Sequence, residues 1–486
     1  MDRNPVIGKM NISQLPLFLR KPLITIQMVS MQFLLNRSLL LTMGALQLLW
    51  LIAIVITRAS TKYDTILTVA IFSAIATFVA ILLPDRVIQR LKDLKAWLVL
   101  NEKRSLLLLC LAALLVGVLY AFIQRQWSDE QRSFKAASIT ASEGLAAAYE
   151  KVDWLSGQHP PLFSLLFSLA LKLPGPDLLY MRLVSVLFLA GTLIVTYYLG
   201  RELYGREIGY LASILLLSFP LVVRLSASAK PDIQVAFFFS LALLLLVRLS
   251  RKPSYWLACA AGVVIGLGLL TKYMMALIFV VLFFYFLFVV SFQKIKSYLL
   301  IVGLASMAVF AVWIVYAYQI GILDGQIHKI LGYTGSYHLV RDLVEASPSA
   351  QPATATEAEA ESTDLNEQLQ SGIFRLGLES LFTRIPSSLG VYHAPLILVG
   401  LLYLIKKRQA VDLVLLLWIG GVSAGLLLTL PAHRYFLPIF PAIAIAVAHL
   451  LLRFPKYAER AILLSLFFGA GNLHLFANWV RESQIF

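Results

Sequence analysis

The sequence predicts an all-α polytopic membrane protein, and three observations carry that reading. Hydrophobic residues fill 59% of its 486 positions and charged residues only 14%, more apolar surface than a soluble fold of this length could hide. About thirteen apolar runs reach the ~17–25 residues that a helix needs to cross a bilayer. The Lys and Arg residues behind the formal charge of +15 lie in the connections between runs, as they do where basic loops stay on the cytoplasmic side. They are scattered over short loops and form no single face, which sets nucleic acid aside as a partner.

The runs are 38–57, 65–84, 104–123, 178–200, 207–226, 232–249, 254–271, 273–292, 297–319, 386–405, 411–430, 434–453 and 460–478. The first reads as a retained anchor behind a polar, basic N-terminus. Segment 85–104 carries Arg86, Arg90, Lys92, Lys95, Lys103 and Arg104, which places it inside. Counting on, Arg248, Arg251 and Lys252, then Lys294 and Lys296, then Lys406, Lys407 and Arg408, and finally Arg453, Lys456 and Arg460 also fall inside. The count works if PPLFSLLFSLALKL (160–173) is an interfacial helix, because about fourteen residues are too few for a span.

The chain then divides into an N-terminal part, 1–103, with two membrane helices, and a core, 104–319, that includes a first outer loop at 124–177. A second outer loop, 320–385, precedes a C-terminal group of membrane helices, 386–486. The second loop holds nine acidic residues against four basic ones, a balance opposite to that of the whole chain. Its middle, 347–364, is a low-complexity stretch of Ala, Thr, Glu and Pro with nothing to pack, read as a disordered insert. Cys110 and Cys259 both fall inside apolar runs, which argues against a disulfide framework or a cysteine metal site.

Polar residues gather at the outer helix ends. QWSDEQRSF (126–134) follows the third run and sets Asp129 beside Glu130. His159 stands before two prolines in DWLSGQHPPLF (153–163). SASAKPDIQ (226–234) carries Lys230 and Asp232, GLGLLTKYMM (266–275) carries Lys272, and PAHRYFLPIFP (431–441) carries His433, Arg434 and Tyr435. Acids and bases on one face of a bundle suit a substrate that carries both phosphate and sugar. Arg and Lys hold phosphate, and a carboxylate within reach of a sugar hydroxyl can act as its base. A phosphate leaving group departs as a stable anion, so no paired acid is required, in contrast to glycoside hydrolysis. Each residue also has a plainer reading. An acidic pair at a helix end is a solvated terminus, His159 is a turn residue, Lys272 and Arg434 anchor helix ends at headgroups, and Asp232 starts a helix.

The order of these elements is what distinguishes them. An outer Asp-Glu after a span, HPPL, LGRELYGREIGYLASILLLSFP (199–220), AKPD, GLGLLTKY and RYFLPIFPAIA (434–444) together resemble the GT-C superfamily of integral-membrane glycosyltransferases. The resemblance covers roughly residues 104–450 and is nearest to bacterial relatives of protein O-mannosyltransferases and lipid A aminoarabinose transferases. It implies a GT-C fold with outer-face loop helices and a polyprenyl-phosphate-linked sugar donor. It also implies inverting transfer on the outer side of a bacterial inner membrane, to an acceptor that is a lipid, a glycan or a protein. Asp129 matches the family's catalytic acidic residue and Glu130 completes that motif. His159 matches the HPPL element, and Lys272 and Arg434 match positions near the donor phosphate.

A divalent metal ion stays open as a cofactor. One His and two carboxylates in the outer loops could hold one, although their spacing is no recognised ligand signature. The rival function is a membrane transporter or lipid flippase of envelope precursors. Charge near mid-depth and paired broken helices would signal it, and neither is evident in the sequence.

Overall fold

The apolar runs become helices with an inverted logic, which the helix Glu102–Ile123 shows most simply. Its buried residues are Ser105, Leu109, Ala113, Gly117 and Ala121, a mostly small stripe at every fourth position. Leu107, Leu108, Leu111, Leu115, Leu119 and Phe122 point outward and are exposed. Lipid is as apolar as leucine, so in a membrane small residues go to the helix contacts and large ones face the tails.

This computed structural model describes residues 71–80, 84–327 and 388–482, apart from positions 74, 78, 125, 127, 176, 290, 291, 391, 392, 428–432 and 454–457. The expected span 38–57, most of 65–84, and nearly all of the loop 320–385 with its insert lie outside the described residues. Among the described residues every element is helical. An amphipathic helix α1 (Asp85–Leu100) precedes α2 (Glu102–Ile123). Four short helices follow, α3 (Ser128–Ser142), α4 (Leu145–Lys151), α5 (Asp153–Gln158) and α6 (Leu162–Ala170). Then come α7 (Asp177–Tyr204), α8 (Arg206–Leu217), α9 (Pro220–Ser226), α10 (Asp232–Arg251) and α11 (Tyr255–Thr271). The bundle closes with α12 (Leu277–Phe288), α13 (Phe292–Gln319), α14 (Ala394–Lys407), α15 (Ala410–Leu427), α16 (Phe440–Leu452) and α17 (Ala458–Glu482).

Six of these helices are long and apolar enough to cross a membrane, or seven if α8 and α9 form one bent span. The expected count of thirteen is not reached among the described residues. Part of the difference is that several expected spans are broken or short. The run 207–226 bends by 70° between α8 and α9, because Pro220 opens the second helix and forces Phe219 out of the helical region, at φ −83° and ψ 121°. The run 273–292 starts with a 3-10 turn at Tyr273–Ala276 before α12. The run 434–453 also starts with a 3-10 turn, His433–Ile439, with Pro438 inside it, yet at Arg434–Leu452 it is one of the six long enough to cross. At nine residues α6 is about 14 Å long and cannot cross a bilayer.

The two ends of the bundle differ in kind. At one end, ion pairs tie short connections together: Arg206 to Glu102 at 3.4 Å, Arg248 and Arg251 to Glu202 at 3.0 and 3.1 Å, and Lys95 to Glu459 at 3.1 Å. At the other end, α3–α6 form a roof whose core includes Tyr149, Leu155, Phe163 and Phe167, packed on Met181 of α7 and Trp313 of α13. Two helix breaks bring cations to this end: 227–231 carries Lys230 and 433–439 carries Arg434, and both meet Asp129 of α3.

One close contact fixes the helix that carries Lys272. A methyl group on Gly262 of α11 would lie 2.5 Å from the Val302 carbonyl oxygen of α13, and one on Gly266 would lie 2.6 Å from Val309. Gly262→Val therefore must push α11 off α13, a change expected to cost about 1–3 kcal/mol. Thermal unfolding in detergent should show a clearly lowered midpoint for Gly262→Val and a smaller loss for Gly262→Ala; equal midpoints would mean the two helices are not held this closely.

Candidate active site

The roofed end is organised around a buried ion pair. Glu130, in the first turn of α3, is fully buried. Arg182 of α7 meets it with a two-pronged contact, Nε donating to Oε1 and Nη2 to Oε2, both at 2.8 Å. The backbone N–H of Ala229 also donates to Oε1 at 2.8 Å. Arg182 Nη1 donates to the carbonyl oxygens of Ala121 at 2.6 Å and Gln124 at 2.9 Å, acceptors left over where α2 ends. Two helices, the end of a third and the loop before α10 thus meet on one ion pair. Sequence reasoning paired Glu130 with Asp129 in catalysis; the structure takes up both of its oxygens in this knot.

Asp129 is the next residue, and its side chain leaves the helix in another direction. It accepts a hydrogen bond from Arg434, lies 3.6 Å from Lys230 Nζ, and 3.7 Å from Arg132 one turn on. Burial alone would raise its pKa. The Arg434 hydrogen bond and the charges of Arg434, Lys230 and Arg132 outweigh that and hold the carboxyl below its ordinary value. For Lys230 the order reverses: burial and the charges of Arg434 and Arg224 push its pKa down against the pull of Asp232 and Asp129.

A second pair adjoins the first. Asp232, at the start of α10, accepts from Lys272 Nζ at 2.8 Å, and both are buried. Lys272 is freed from α11 by an extended backbone, φ −163° and ψ 136°, which ends the helix. Its Nζ sits 4.1 Å from the Tyr435 ring centre, with the Arg434 guanidinium 5.4 Å from the same centre, so one aromatic ring neighbours two cations. Of the residues singled out from the sequence, Asp129, Lys230, Asp232, Lys272, Arg434 and Tyr435 therefore converge, while Glu130 stands one layer behind. The side chain of His433 lies outside the described residues.

His159 forms the wall behind Lys272 and Asp232. Its ring packs on Trp154 with centres 4.0 Å apart, its Nδ1 is 3.3 Å from the Trp154 carbonyl, and its own carbonyl accepts from the Tyr149 hydroxyl at 2.7 Å. Burial first, then the Lys272 charge, lower its pKa to about 3. It is a neutral ring that shapes the site. No group of three or more His, Cys, Asp or Glu side chains converges as a metal-ligand set among the described residues.

Two cations at this end escaped the sequence reading, Arg182 and Arg224. Both sit inside apolar runs read as uninterrupted spans, and an arginine in such a run is itself the signal of a buried partner or a polar site.

Residues 158–316, which include His159, Lys230, Asp232 and Lys272, match the family model of dolichyl-phosphate-mannose-protein mannosyltransferase. The whole fold resembles the crystal structure of ArnT from Cupriavidus metallidurans bound to undecaprenyl phosphate, at 16% identity and a TM-score of 0.52 over 71% of this chain. The apo structure of the same protein gives 16% identity and a TM-score of 0.51 over 72%. At this identity the likeness is one of fold. The chain spans about three fifths of the length of ArnT, 60% in both comparisons. No curated protein sequence matches it. The matched segment carries one side of the site, and Asp129 and Arg434 reach it from outside that segment.

Removing Arg182 alone strands a buried carboxylate. Arg182→Leu should destabilise the protein by about 3–5 kcal/mol, and adding Glu130→Leu should recover a large part; thermal unfolding of the single and double variants checks the coupling. His159 supplies a second measurement. Its folded pKa lies below the ordinary ~6.5, so between that value and about 3 the unfolded chain binds the extra proton and stability falls as pH falls. His159→Phe should flatten the slope of stability against pH in that window by about 1.4 kcal/mol per pH unit, and an unchanged slope would show that the ring is not held neutral.

Proposed function

We propose that this protein transfers a sugar from a polyprenyl-phosphate-linked donor to an acceptor hydroxyl, with inversion. The observation that carries the reading is one carboxylate, Asp129, set among cations that suit a phosphate: Arg434 in hydrogen-bond contact, Lys230 at 3.6 Å, and Lys272 in the adjoining pair. A likeness in fold to a protein crystallised with undecaprenyl phosphate and a family model named for a dolichyl-phosphate sugar donor support the same class.

On this reading the lipid tail lies in the bilayer and the phosphate enters the cluster, contacting Arg434, Lys230 and Lys272. The acceptor oxygen attacks the anomeric carbon from the side opposite the phosphate, and its proton passes to Asp129. The bond between that carbon and the phosphate oxygen breaks, and the lipid phosphate leaves with the electron pair. A single displacement of this kind inverts the carbon. Glu130 holds α3 through Arg182, His159 and Tyr435 shape the pocket, and Asp232 orients Lys272. A divalent cation, where one binds, would find Asp129 and Asp232 as the carboxylates of the cluster, and no step here is routed through it. The acceptor is a hydroxyl of a lipid, a glycan or a protein. On the same reading the end rich in Arg and Lys faces the cytoplasm of a bacterial cell, across its inner membrane, and the site faces the periplasm, which the distribution of basic connections supports. Transport or lipid flipping draws no support, since the charged cluster closes at one end of the bundle instead of lining a path through it.

Asp129→Asn should lower transfer from a polyprenyl-phosphate sugar by about 10²–10⁴-fold while membrane insertion and thermal stability stay near wild type. Full activity at equal protein level would remove Asp129 from the mechanism.

A further inference from the structure

No residue of α1 is buried, and its sequence is two-sided. At about 100° per residue, Val87, Ile88, Leu91, Leu94 and Leu98 share one side. Arg86 and Arg90 border that side on one flank, with Trp97 between them, and Lys92 borders it on the other. Asp85, Gln89, Asp93 and Ala96 fill the middle of the far side. A helix of this pattern lies in the plane of a membrane surface. Its apolar side enters the acyl boundary, while cations at the border stay at headgroup depth.

A cleft of about 140 Å³ lies between α1, α8 and α17, at the ion-paired end of the bundle. Leu94, Leu98, Leu211, Ile214, Leu463 and Leu466 line it. Leu94 stays 52% exposed, so the cleft is open on the α1 side. A cavity lined in this way does not hold water, and hydrocarbon is the filling that its walls favour.

Charge says which lipid carries that hydrocarbon. Lys95, at the rim, is answered by Glu207 at 3.5 Å and Glu459 at 3.1 Å, and Asp85 by Arg460 at 3.5 Å. Asp93 accepts a hydrogen bond from the neutral amide of Gln89 at 2.9 Å. Arg86, Arg90 and Lys92 are exposed and meet no carboxylate among the described residues, and the same holds for Lys103 and Arg104 at the start of α2. Against these cations stand only Asp93, on the far side of α1, and the second carboxylate beside Lys95. The border of α1 is therefore positive, as anionic headgroups require.

We propose that α1, α8 and α17 form a binding site for one anionic phospholipid of the leaflet at this end, with an acyl chain in the cleft and the phosphate at the cations that border α1. The lipid completes the apolar packing that α8 and α17 leave unfinished beneath α1. The site is separate from the carboxylate–cation cluster under the roof, and it does not depend on the sugar-transfer reading.

The test is lipid retention by the purified full-length protein, read by mass spectrometry of the intact protein from mixed micelles. The probes are phosphatidylglycerol and phosphatidylcholine with the same acyl chains. Wild type should retain phosphatidylglycerol at least about tenfold better, since each Lys or Arg at an anionic surface is worth roughly fivefold in affinity. The triple variant Arg86→Gln, Arg90→Gln, Lys92→Gln should bring the two lipids to near parity. Its unfolding midpoint in lipid-free detergent should match wild type, because all three side chains are exposed. Leu94→Trp, which puts an indole at the cleft, should lower retention of both lipids. Equal retention of the two lipids by wild type means that the cleft takes any hydrocarbon chain, and no retention means that another part of the chain occupies it; either overturns the proposal. An undiminished preference in the triple variant, or undiminished retention in Leu94→Trp, overturns it as well.

Discussion

The contact between Arg182 and Glu130 sets the geometry of the whole roofed end. It joins α7 to the first turn of α3, closes off the carbonyls that end α2, and holds Ala229 of the loop before α10. Its two neighbours in sequence are the residues that matter. Asp129 precedes Glu130, and Lys230 follows Ala229, and these two side chains end 3.6 Å apart. One buried pair thus places both a carboxylate and one of its cations. Such pairs contribute little net stability, because removing two charges from water offsets most of their attraction. What this one supplies is register, since both oxygens of Glu130 and all three nitrogens of Arg182 are engaged in this packing of α3 on α7.

The second constraint is that irregular backbone at membrane depth must be buried in protein or line a polar cavity. The site is assembled from such places. Pro220 breaks one span and brings Arg224 inward. Pro231 precedes α10 and sets Lys230 and Asp232 on either side. The extended Lys272 parts α11 from its 3-10 turn, and Pro438 keeps the chain after Arg434 in a 3-10 turn. Each break exposes peptide groups that a straight helix would satisfy, and each also offers a polar side chain where a straight helix would offer an apolar one.

This explains what could be read from the sequence and what could not. The helical class, the helices at 104–123, 178–200 and 232–249, and the short helix within 160–173 follow from run length alone. Asp129, Lys230, Asp232, Lys272, Arg434 and Tyr435 were legible because they sit at the ends of runs, where polar residues are few. The straight span expected at 207–226 was misread because hydropathy averages over Pro220, which breaks the helix, the run at 273–292 yields a shorter helix, Tyr273–Phe288, and the run at 434–453 remains long enough to cross. Arg182 and Arg224 were hidden by the same averaging. The different parts of Asp129 and Glu130 could not be read either, since adjacent helical residues point about 100° apart and only the fold says which of them faces Arg182.

The remaining tension lies in Asp129 itself. The cations that keep it ionised also weaken it as a base, since a carboxylate held below its ordinary pKa gives up a captured proton readily. The proposed donor resolves this, because its phosphate competes for the same Arg434 and Lys230. As those cations turn to phosphate, half-buried Asp129 loses the contacts with Arg434 and Lys230 that lower its pKa and keeps only Arg132, so burial weighs more and its pKa rises. Base strength rises when the donor is in place and stays low when it is absent. On the proposed reading, binding the leaving group and arming the base are the same event.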